Sequence, residues 1–256
     1  MNVPYIGITG FVSREEVNQV LDVFPENSYR KLMVGVLVSE KTLQGVPTKW
    51  SSRYPSPRNV AGIFPKHPMT INLVHFHAQE SVKLFDRLLE VAELGGENFH
   101  GFQLNIKWPG VRVLERYKAR YPSSTIVLQC GSGALKSANN DPKILARFVR
   151  DYVDVCGYVL VDPSGGRGET LVPETALKFL DHLHDVLEGK MNIGVAGGLG
   201  ISGETGELLQ PIFDIFPDTS VDAEGKLRDM PDDILNVPRA CRYSLEVLEA
   251  LASVSE

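Results

Sequence analysis

Short apolar runs alternate with amphipathic stretches along most of this chain. Eight of the runs have the length and the β-branched and aromatic content of buried strands. The predicted strands cover 5–8, 32–38, 71–77, 101–105, 125–130, 158–161, 192–196 and 213–216. Seven of them are followed by a segment long enough for a helix before the next strand begins.

Between these strands, apolar side chains recur at helical spacing. Ser13 and Glu16 form a capping-box pattern ahead of Val17 and Val20, which predicts the first helix. Further helices are predicted after Ser81 and after Pro109, and over 142–153, 173–187 and 239–251. The segment 39–68 is longer than an ordinary connection, and any helix in it is short, around 60–64.

Strands that alternate with helices imply right-handed βαβ units and a parallel sheet. Eight such units in 256 residues match the usual size of a (β/α)8 TIM barrel, so we predict one α/β barrel domain over 1–256. A doubly wound open sheet is the alternative. It is disfavoured because no GxGxxG pattern follows the first strand.

Composition narrows the function classes. A net charge of -6 and the lack of a basic run argue against nucleic acid as a partner. The three cysteines are widely spaced, without a CxxC pair, which disfavours a disulfide framework or a structural zinc site. No signal peptide or membrane-spanning run is visible, so the sequence predicts a cytoplasmic protein without a membrane partner. No cofactor is predicted, and a homodimer is left open.

The predicted strand ends place polar side chains at one mouth, where barrels carry their chemistry. Asp162 ends strand six and is the main candidate for acid–base work, because a partly desolvated carboxylate can have a raised pKa. His75 and His77 share one face of strand three, but no third metal ligand accompanies them, so no metal is predicted. Substrate contacts are predicted for four polar residues at the mouth: Thr9, His77, Asn105 and Gln129.

Glycine-rich loops at the later strand ends suggest that the mouth holds a phosphate group. Backbone N–H groups after strands seven and eight often bind phosphate in barrels. The candidates are Gly165 and Gly166 after strand six, Gly197 and Gly198 after strand seven, and Thr219 and Ser220 after strand eight. Asp218 and Asp222 would repel a phosphate if they pointed inward. The simpler interpretation of each glycine pair is a tight turn.

Three cationic residues outside the predicted strands are further candidates for contacts at the mouth or for surface charges. Arg58, in the long second loop, could reach over the mouth and pair with a carboxylate through its planar fork. The alternative for Arg58 is a solvated loop arginine. Lys226 and Arg228, after the predicted strand eight, are interpreted as ordinary surface charges.

The order of these motifs resembles that of the phosphoribosylanthranilate isomerase family, a group of barrel enzymes in tryptophan biosynthesis. The matching segments are Gly7–Val12, Ser56-Pro57-Arg58-Asn59-Val60, Gln103-Leu104-Asn105, Leu160–Asp162 with Gly165–Gly168, Ala196-Gly197-Gly198-Leu199 and Thr219–Asp222. They span nearly the whole chain in the right order. The resemblance implies a TIM barrel that isomerises a phosphorylated, sugar-type small molecule by acid–base catalysis.

The departures from that family concern the catalytic residues. The resemblance assigns the general acid to Asp162, and it assigns the general base to a cysteine whose position is occupied by Thr9. A threonine hydroxyl is too weakly acidic to serve as a base without help, so the base is left unassigned, with His77 and Asp218 as candidates. Two alternatives stay open: lyase-type chemistry on a phosphorylated substrate, and a non-catalytic binding or regulatory homologue.

Overall fold

Eight parallel strands close into a barrel in sequence order, with β1 paired to both β2 and β8. A computed structural model describes residues 3–78, 83–163 and 169–254. The strands are β1 (Tyr5–Thr9), β2 (Lys31–Ser39), β3 (Thr70–His77), β4 (Gly101–Asn105), β5 (Thr125–Cys130), β6 (Tyr158–Val161), β7 (Asn192–Ala196) and β8 (Ser220–Ala223). The predicted (β/α)8 TIM barrel is therefore confirmed.

Helices surround the barrel. The longer ones are α1 (Arg14–Leu21), α4 (Leu84–Gly95), α5 (Val111–Arg120), α7 (Pro142–Arg150), α8 (Pro173–Leu187), α9 (Thr205–Phe213) and α10 (Val237–Val254). Short helices α2 (Glu40–Leu43), α3 (Val60–Ile63) and α6 (Ser132–Ser137) lie in loops, and a small hairpin, β9 (Arg228–Asp229) with β10 (Ile234–Leu235), follows β8. The predicted capping box of α1 is present. Within the described residues, no helix combines the length and the hydropathy needed to cross a membrane.

The prediction of strand eight at 213–216 is wrong. Phe213 ends helix α9, where Leu209, Ile212 and Phe213 form its buried face. The strand begins at Ser220 instead. The error arose because the end of an apolar helix face looks like a short strand, whereas Ser220–Ala223 contains a serine and an aspartate. Consequently Thr219 and Ser220 lie at the amino end of β8, opposite the mouth.

The interior of the barrel changes character along its axis. Its lower layers are mainly apolar, with Tyr5, Met33, Ile71, Leu73, Val127, Tyr158 and Leu160 in one buried cluster. Strand residues two positions apart share a face. The same inward faces therefore continue toward the carboxyl ends with polar residues, among them Thr9, His75, Gln103, Gln129, Asp162 and Asp222. The polar layer closes the mouth.

Candidate functional site

Asp222 on β8 is the centre of the polar layer. Its side chain is buried, with 5% of its surface exposed. The Thr9 hydroxyl lies 3.1 Å from each of its carboxylate oxygens and donates to them, and Gln103 Nε2 donates to Oδ2 at 2.9 Å. Thr9 and Gln103 are themselves fully buried. Strands β1, β4 and β8 thus hold one carboxylate away from water.

The environment of Asp222 brings the pKa of its side chain close to neutral pH. Burial raises the pKa of this carboxyl to about 7, and the charges of Glu224 and Asp162 act in the same direction. The hydrogen bonds from Gln103 and Thr9 oppose that rise by favouring the ionised form. A group with this pKa is populated in both protonation states at neutral pH, as a general acid or base requires.

A buried histidine extends the network away from Asp222. His75 Nδ1 lies 3.2 Å from Gln103 Nε2, and His75 Nε2 lies 3.3 Å from Asn105 Nδ2. Burial lowers the pKa of His75 to about 4, so its imidazole is neutral at pH 7. Gln103 Nε2 also lies 3.4 Å from Gln129 Oε1. The predicted contact residues Asn105 and Gln129 therefore belong to the same polar layer.

Asp162 and Asp222 line one cavity of about 130 Å³ at the carboxyl ends of the strands. Asp162 follows β6 and is 5% exposed. Gln129, Glu224 and Arg53 also line the cavity, together with Gly197, Gly198, Gly225 and Lys226. The volume corresponds to about four molecules of liquid water at roughly 30 Å³ each. It therefore accommodates a small polar group between the two carboxyl groups.

The arginine in the wall of this cavity is Arg53, not Arg58. Arg53 Nη1 donates to Glu224 at 2.5 Å, and its Nε donates to Asp233 at 2.8 Å. Arg58 is exposed on a 3-10 turn, Pro57–Asn59, and does not line the cavity. Both arginines lie in the long second loop, whose sequence carries no periodicity that distinguishes them.

Two further cations are not the surface charges that the sequence suggested. Lys226 is half-buried in the cavity wall. Arg228 is 4% exposed and donates to the carbonyl oxygens of Asp233, at 2.7 Å, and Gly10, at 2.5 Å. Arg228 thereby fastens the loop after β1 to the hairpin after β8.

The glycine pair after β7 has a packing role as well as a position at the mouth. Gly198 has φ +63°, and a Cβ there would lie 2.2 Å from the carbonyl oxygen of Glu169. A side chain is therefore excluded whether or not an anion binds. Gly197 also lines the cavity. Gly165 and Gly166 lie outside the described residues.

Thr219 and Ser220 do not contribute to a phosphate site at the mouth, which corrects that prediction. The Thr219 hydroxyl donates to the carbonyl oxygen of Phe216 at 2.8 Å. The Ser220 hydroxyl donates to Asn192 Oδ1 at 2.5 Å and accepts from the Tyr5 amide at 3.1 Å. Both residues are committed to protein groups at the amino end of the barrel.

Neither of the two bases suggested by the sequence lines the cavity of the buried carboxyl groups. His77 ends β3 with an exposed side chain, and Asp218 is exposed before the amino end of β8. Asp222, Gln103 and Arg53 were missed as functional residues. The alternation Ser220-Val221-Asp222-Ala223-Glu224 is a period-two signal that could have located the eighth strand and its inward carboxylate.

The described part of the chain contains one group of side chains that could together hold a metal ion, and it lies outside the barrel mouth. Asp181, His182 and Asp185 on α8 have ligand atoms within 4.8 Å of one another, and both aspartates are exposed. Exposed acidic groups of this kind are common without an ion. The mouth itself presents carboxylates, amides, a hydroxyl and two cations.

Comparison with known proteins supports the fold and goes no further. No protein-family model matches the chain, and no curated protein matches it. Among solved structures, the X-ray crystal structure of the YdjI aldolase from Escherichia coli K12 is similar with a TM-score of 0.50. It is 12% identical, and the match covers 98% of this chain and 90% of that chain. At this identity the likeness shows the barrel fold alone.

Proposed function

We propose that this chain is a barrel enzyme that moves a proton within a small polar substrate, as an isomerase does. The observation that carries the proposal is the pair of buried carboxyl groups, Asp162 just after β6 and Asp222 on β8, in one cavity at the mouth. Two carboxyl groups in different surroundings can divide the acid and base roles. The barrel places its chemistry at this end of the strands.

In the proposed reaction, the Asp222 carboxylate removes a proton from the substrate, and the Asp162 carboxyl group delivers one to a different atom of the same molecule. The substrate loses one proton and gains one, so the net reaction is an isomerisation without an oxidant or a reductant, and proton exchange with water returns the two carboxyl groups to their starting states. Thr9 is not the base. Its hydroxyl donates to Asp222 and orients the carboxylate, which supplies the base that the sequence left unassigned.

The resemblance to phosphoribosylanthranilate isomerase suggests a phosphorylated, sugar-type substrate. The glycines after β7 and β8 and Lys226 form one side of the cavity, and we assign the phosphate to that side. Asp162, Asp222 and Glu224 contribute negative charge to the same cavity, while Arg53 is paired with Glu224. The phosphate group therefore belongs at the outer edge, beside Lys226, and the uncharged reacting atoms lie between the two aspartates.

The proposal is tested with a panel of phosphorylated aldoses and aminoaldoses, including phosphoribosylanthranilate, incubated with the protein in deuterium oxide. Proton abstraction from carbon followed by return of a solvent deuteron produces a mass increase in the product or the recovered substrate. We expect isomerisation or exchange with the wild type and its loss in Asp162→Asn and Asp222→Asn. The matched control is Asp218→Asn, which removes an exposed carboxyl group at the other end of the barrel.

Binding of panel members without exchange or isomerisation would contradict catalysis and favour the binding homologue. Full activity in Asp222→Asn would show that another group is the base. Growth of a strain lacking phosphoribosylanthranilate isomerase on expression of this chain would support that specific reaction. Failure of the folded, expressed protein to restore growth would reject it.

A second candidate is a lyase that breaks a carbon–carbon bond, and the position of Lys226 favours it. A lysine in the cavity wall can form a Schiff base with a carbonyl substrate, while a carboxylate removes the hydroxyl proton that starts the cleavage. The aldolase named above has the same fold. Borohydride reduction in the presence of a substrate would attach a substrate fragment to Lys226 in a lyase, and would leave Lys226 unmodified in the isomerase.

A further inference from the structure

Two side-chain amides approach the two ring nitrogens of His75. Gln103 Nε2 lies 3.2 Å from Nδ1, and Asn105 Nδ2 lies 3.3 Å from Nε2. A neutral imidazole has one N–H donor and one acceptor nitrogen. Two amide N–H groups therefore cannot both donate to it, and one contact requires an amide oxygen instead. A half-turn of either amide exchanges its oxygen and nitrogen in nearly the same space.

Only two arrangements of these three residues make every contact to the imidazole a hydrogen bond. In the first, Asn105 turns its oxygen toward His75 Nε2–H, and Gln103 donates to His75 Nδ1 and to Asp222. In the second, Gln103 turns its oxygen inward and accepts from His75 Nδ1–H, while Asn105 donates to Nε2. The same oxygen then faces Asp222 Oδ2, which must carry a proton to make that contact favourable.

The hydrogen bonding of Gln103 fits such a two-state amide. Its nitrogen is within 3.4 Å of three acceptors: Asp222 Oδ2, His75 Nδ1 and Gln129 Oε1. Its oxygen is buried and has no hydrogen-bond partner among the described residues. Turning the amide gives the oxygen two donors and moves the nitrogen to the unpartnered position. Neither orientation satisfies every atom, so neither is favoured outright.

We propose that His75 is a positioning residue for Asp222, and that the imidazole tautomer, the orientation of the Gln103 amide and the proton on Asp222 change together. This inference rests on the proposed function, because it explains how a buried carboxylate can both hold and release a proton with its hydrogen bonds matched. His75 itself stays neutral throughout. The low pKa of His75 and the near-neutral pKa of Asp222 agree with this assignment.

Other charged and titratable groups around Asp222 and His75 influence the pH at which this coupled change occurs, without bridging the two residues. Glu224 and Asp162 raise the pKa of Asp222, while Glu224, His77 and Arg53 act on His75. The charged and titratable groups that face the pair are Tyr5 from β1, Asp162 after β6, Glu224 and Lys226 after β8, Arg53 from the long second loop, His77 on β3 and Tyr243 on α10. Within the described part of the chain, Gln103 is the residue that contacts both Asp222 and His75.

The test is nitrogen-15 NMR of histidine-labelled protein, since the two ring nitrogens of each neutral tautomer have distinct shifts. From about pH 5 to about 9, we expect His75 to change from the Nδ1–H to the Nε2–H tautomer with the same midpoint as the Asp222 carboxyl carbon signal, near the Asp222 pKa of about 7. The His75 signal is assigned by its loss in His75→Gln and its retention in His77→Gln. No substrate is needed.

Two variants isolate the coupling. Asp222→Asn removes the titrating carboxyl group, so the His75 tautomer is expected to be the same at every pH. Gln103→Met removes the bridge, so the tautomer is expected to become independent of pH while Asp222 still titrates. Asp218→Asn is the control and is expected to behave as the wild type.

A His75 tautomer that does not change with pH in the wild type, or that still changes with pH in Asp222→Asn, would overturn the inference. That result is separate from a failure of the proposed function. A tautomer that follows Asp222 in a protein without proton-transfer activity would refute the enzyme and leave the coupling intact. Activity that depends on Asp222, together with a His75 tautomer that does not change with pH, would support the enzyme and refute the coupling.

Discussion

Ser220 and Asp222 stand two residues apart on the same inward face of β8, yet their surroundings differ in kind. The Ser220 hydroxyl donates to Asn192 and accepts from the Tyr5 amide, so protein groups use both of its functions. Asp222 is a titratable group whose hydrogen bonds suit its ionised form, in a place where burial favours its protonated form. The amino end of β8 therefore links neighbouring strands through hydrogen bonds, whereas its carboxyl end carries a side chain that can gain or lose a proton.

The largest expected effect concerns activity. Asp222→Asn should reduce the rate of isomerisation or solvent exchange by about 10²–10⁴-fold, the usual contribution of a general acid or base. Ser220→Ala should leave that rate close to the wild-type value, because its contacts lie at the opposite end of the barrel. Rates are measured on whichever substrate the panel identifies. Equal losses of rate in the two variants would contradict the proposed difference in role between the two ends of β8.

The pH dependence of stability gives the next effect. Asp222 has a pKa raised from 3.8 to about 7, so its stabilising contribution is complete below about pH 4 and is lost as pH rises through 7. His75 has a pKa lowered from 6.5 to about 4, so its contribution is lost as pH falls from about 6.5 toward 4. The two slopes oppose each other, each up to about 1.4 kcal/mol per pH unit.

Between about pH 4.5 and 6 these two terms should nearly cancel in the wild type. Relative to it, Asp222→Asn should gain stability as pH rises, and His75→Gln should lose it. Urea unfolding at a series of pH values measures the free energy of unfolding for each protein. Three parallel curves would show that neither group titrates abnormally in the folded state.

Ser220→Ala should have a smaller effect, on stability alone. It leaves the Tyr5 amide and Asn192 Oδ1 without their hydroxyl partner in the buried amino end. The expected loss in the free energy of unfolding is about 1–3 kcal/mol, the usual cost of an unsatisfied buried group. Thermal or chemical denaturation at neutral pH measures it, and a value near zero would mean that the contacts are replaced by water.

The smallest effect extends the comparison to the two arginines of the long second loop. Arg58→Gln should change stability by less than about 0.5 kcal/mol, because its side chain is exposed. Arg53→Gln should cost more, since it leaves the buried carboxylate of Asp233 without its ion pair. Denaturation of both variants at two salt concentrations measures the difference in the free energy of unfolding. Equal losses of stability would contradict the distinction between Arg53 and Arg58.

The sequence predicted the barrel well because strand and helix patterns are local. Seven of the eight strands fell where period-two or continuous apolar runs placed them, and Asp162 followed from its position after one of them. The prediction of strand eight failed because Ile212 and Phe213 belong to a helix face, and because two of the four residues in Ser220–Ala223 are polar. That single error concealed Asp222.

The remaining features of the site depend on contacts between distant parts of the chain. Arg53 could not be distinguished from Arg58, since the choice between them depends on Glu224 and Asp233, about 170–180 positions further on. The role of Gln103 likewise depends on an aspartate 119 positions away. No short-range pattern encodes such pairs.

The link between Thr9 and Asp222 joins residues 213 positions apart, across the seam where the first and last strands meet. During synthesis, the chain emerges from its amino end and local units can form as they appear. Contacts across the seam must wait for nearly the whole chain. Seven strands precede Asp222 in the chain, so an incomplete barrel contains Asp162 but lacks the proposed proton acceptor. Proton-transfer activity is therefore expected to arise only when the barrel closes, which makes it a direct report on the last step of assembly.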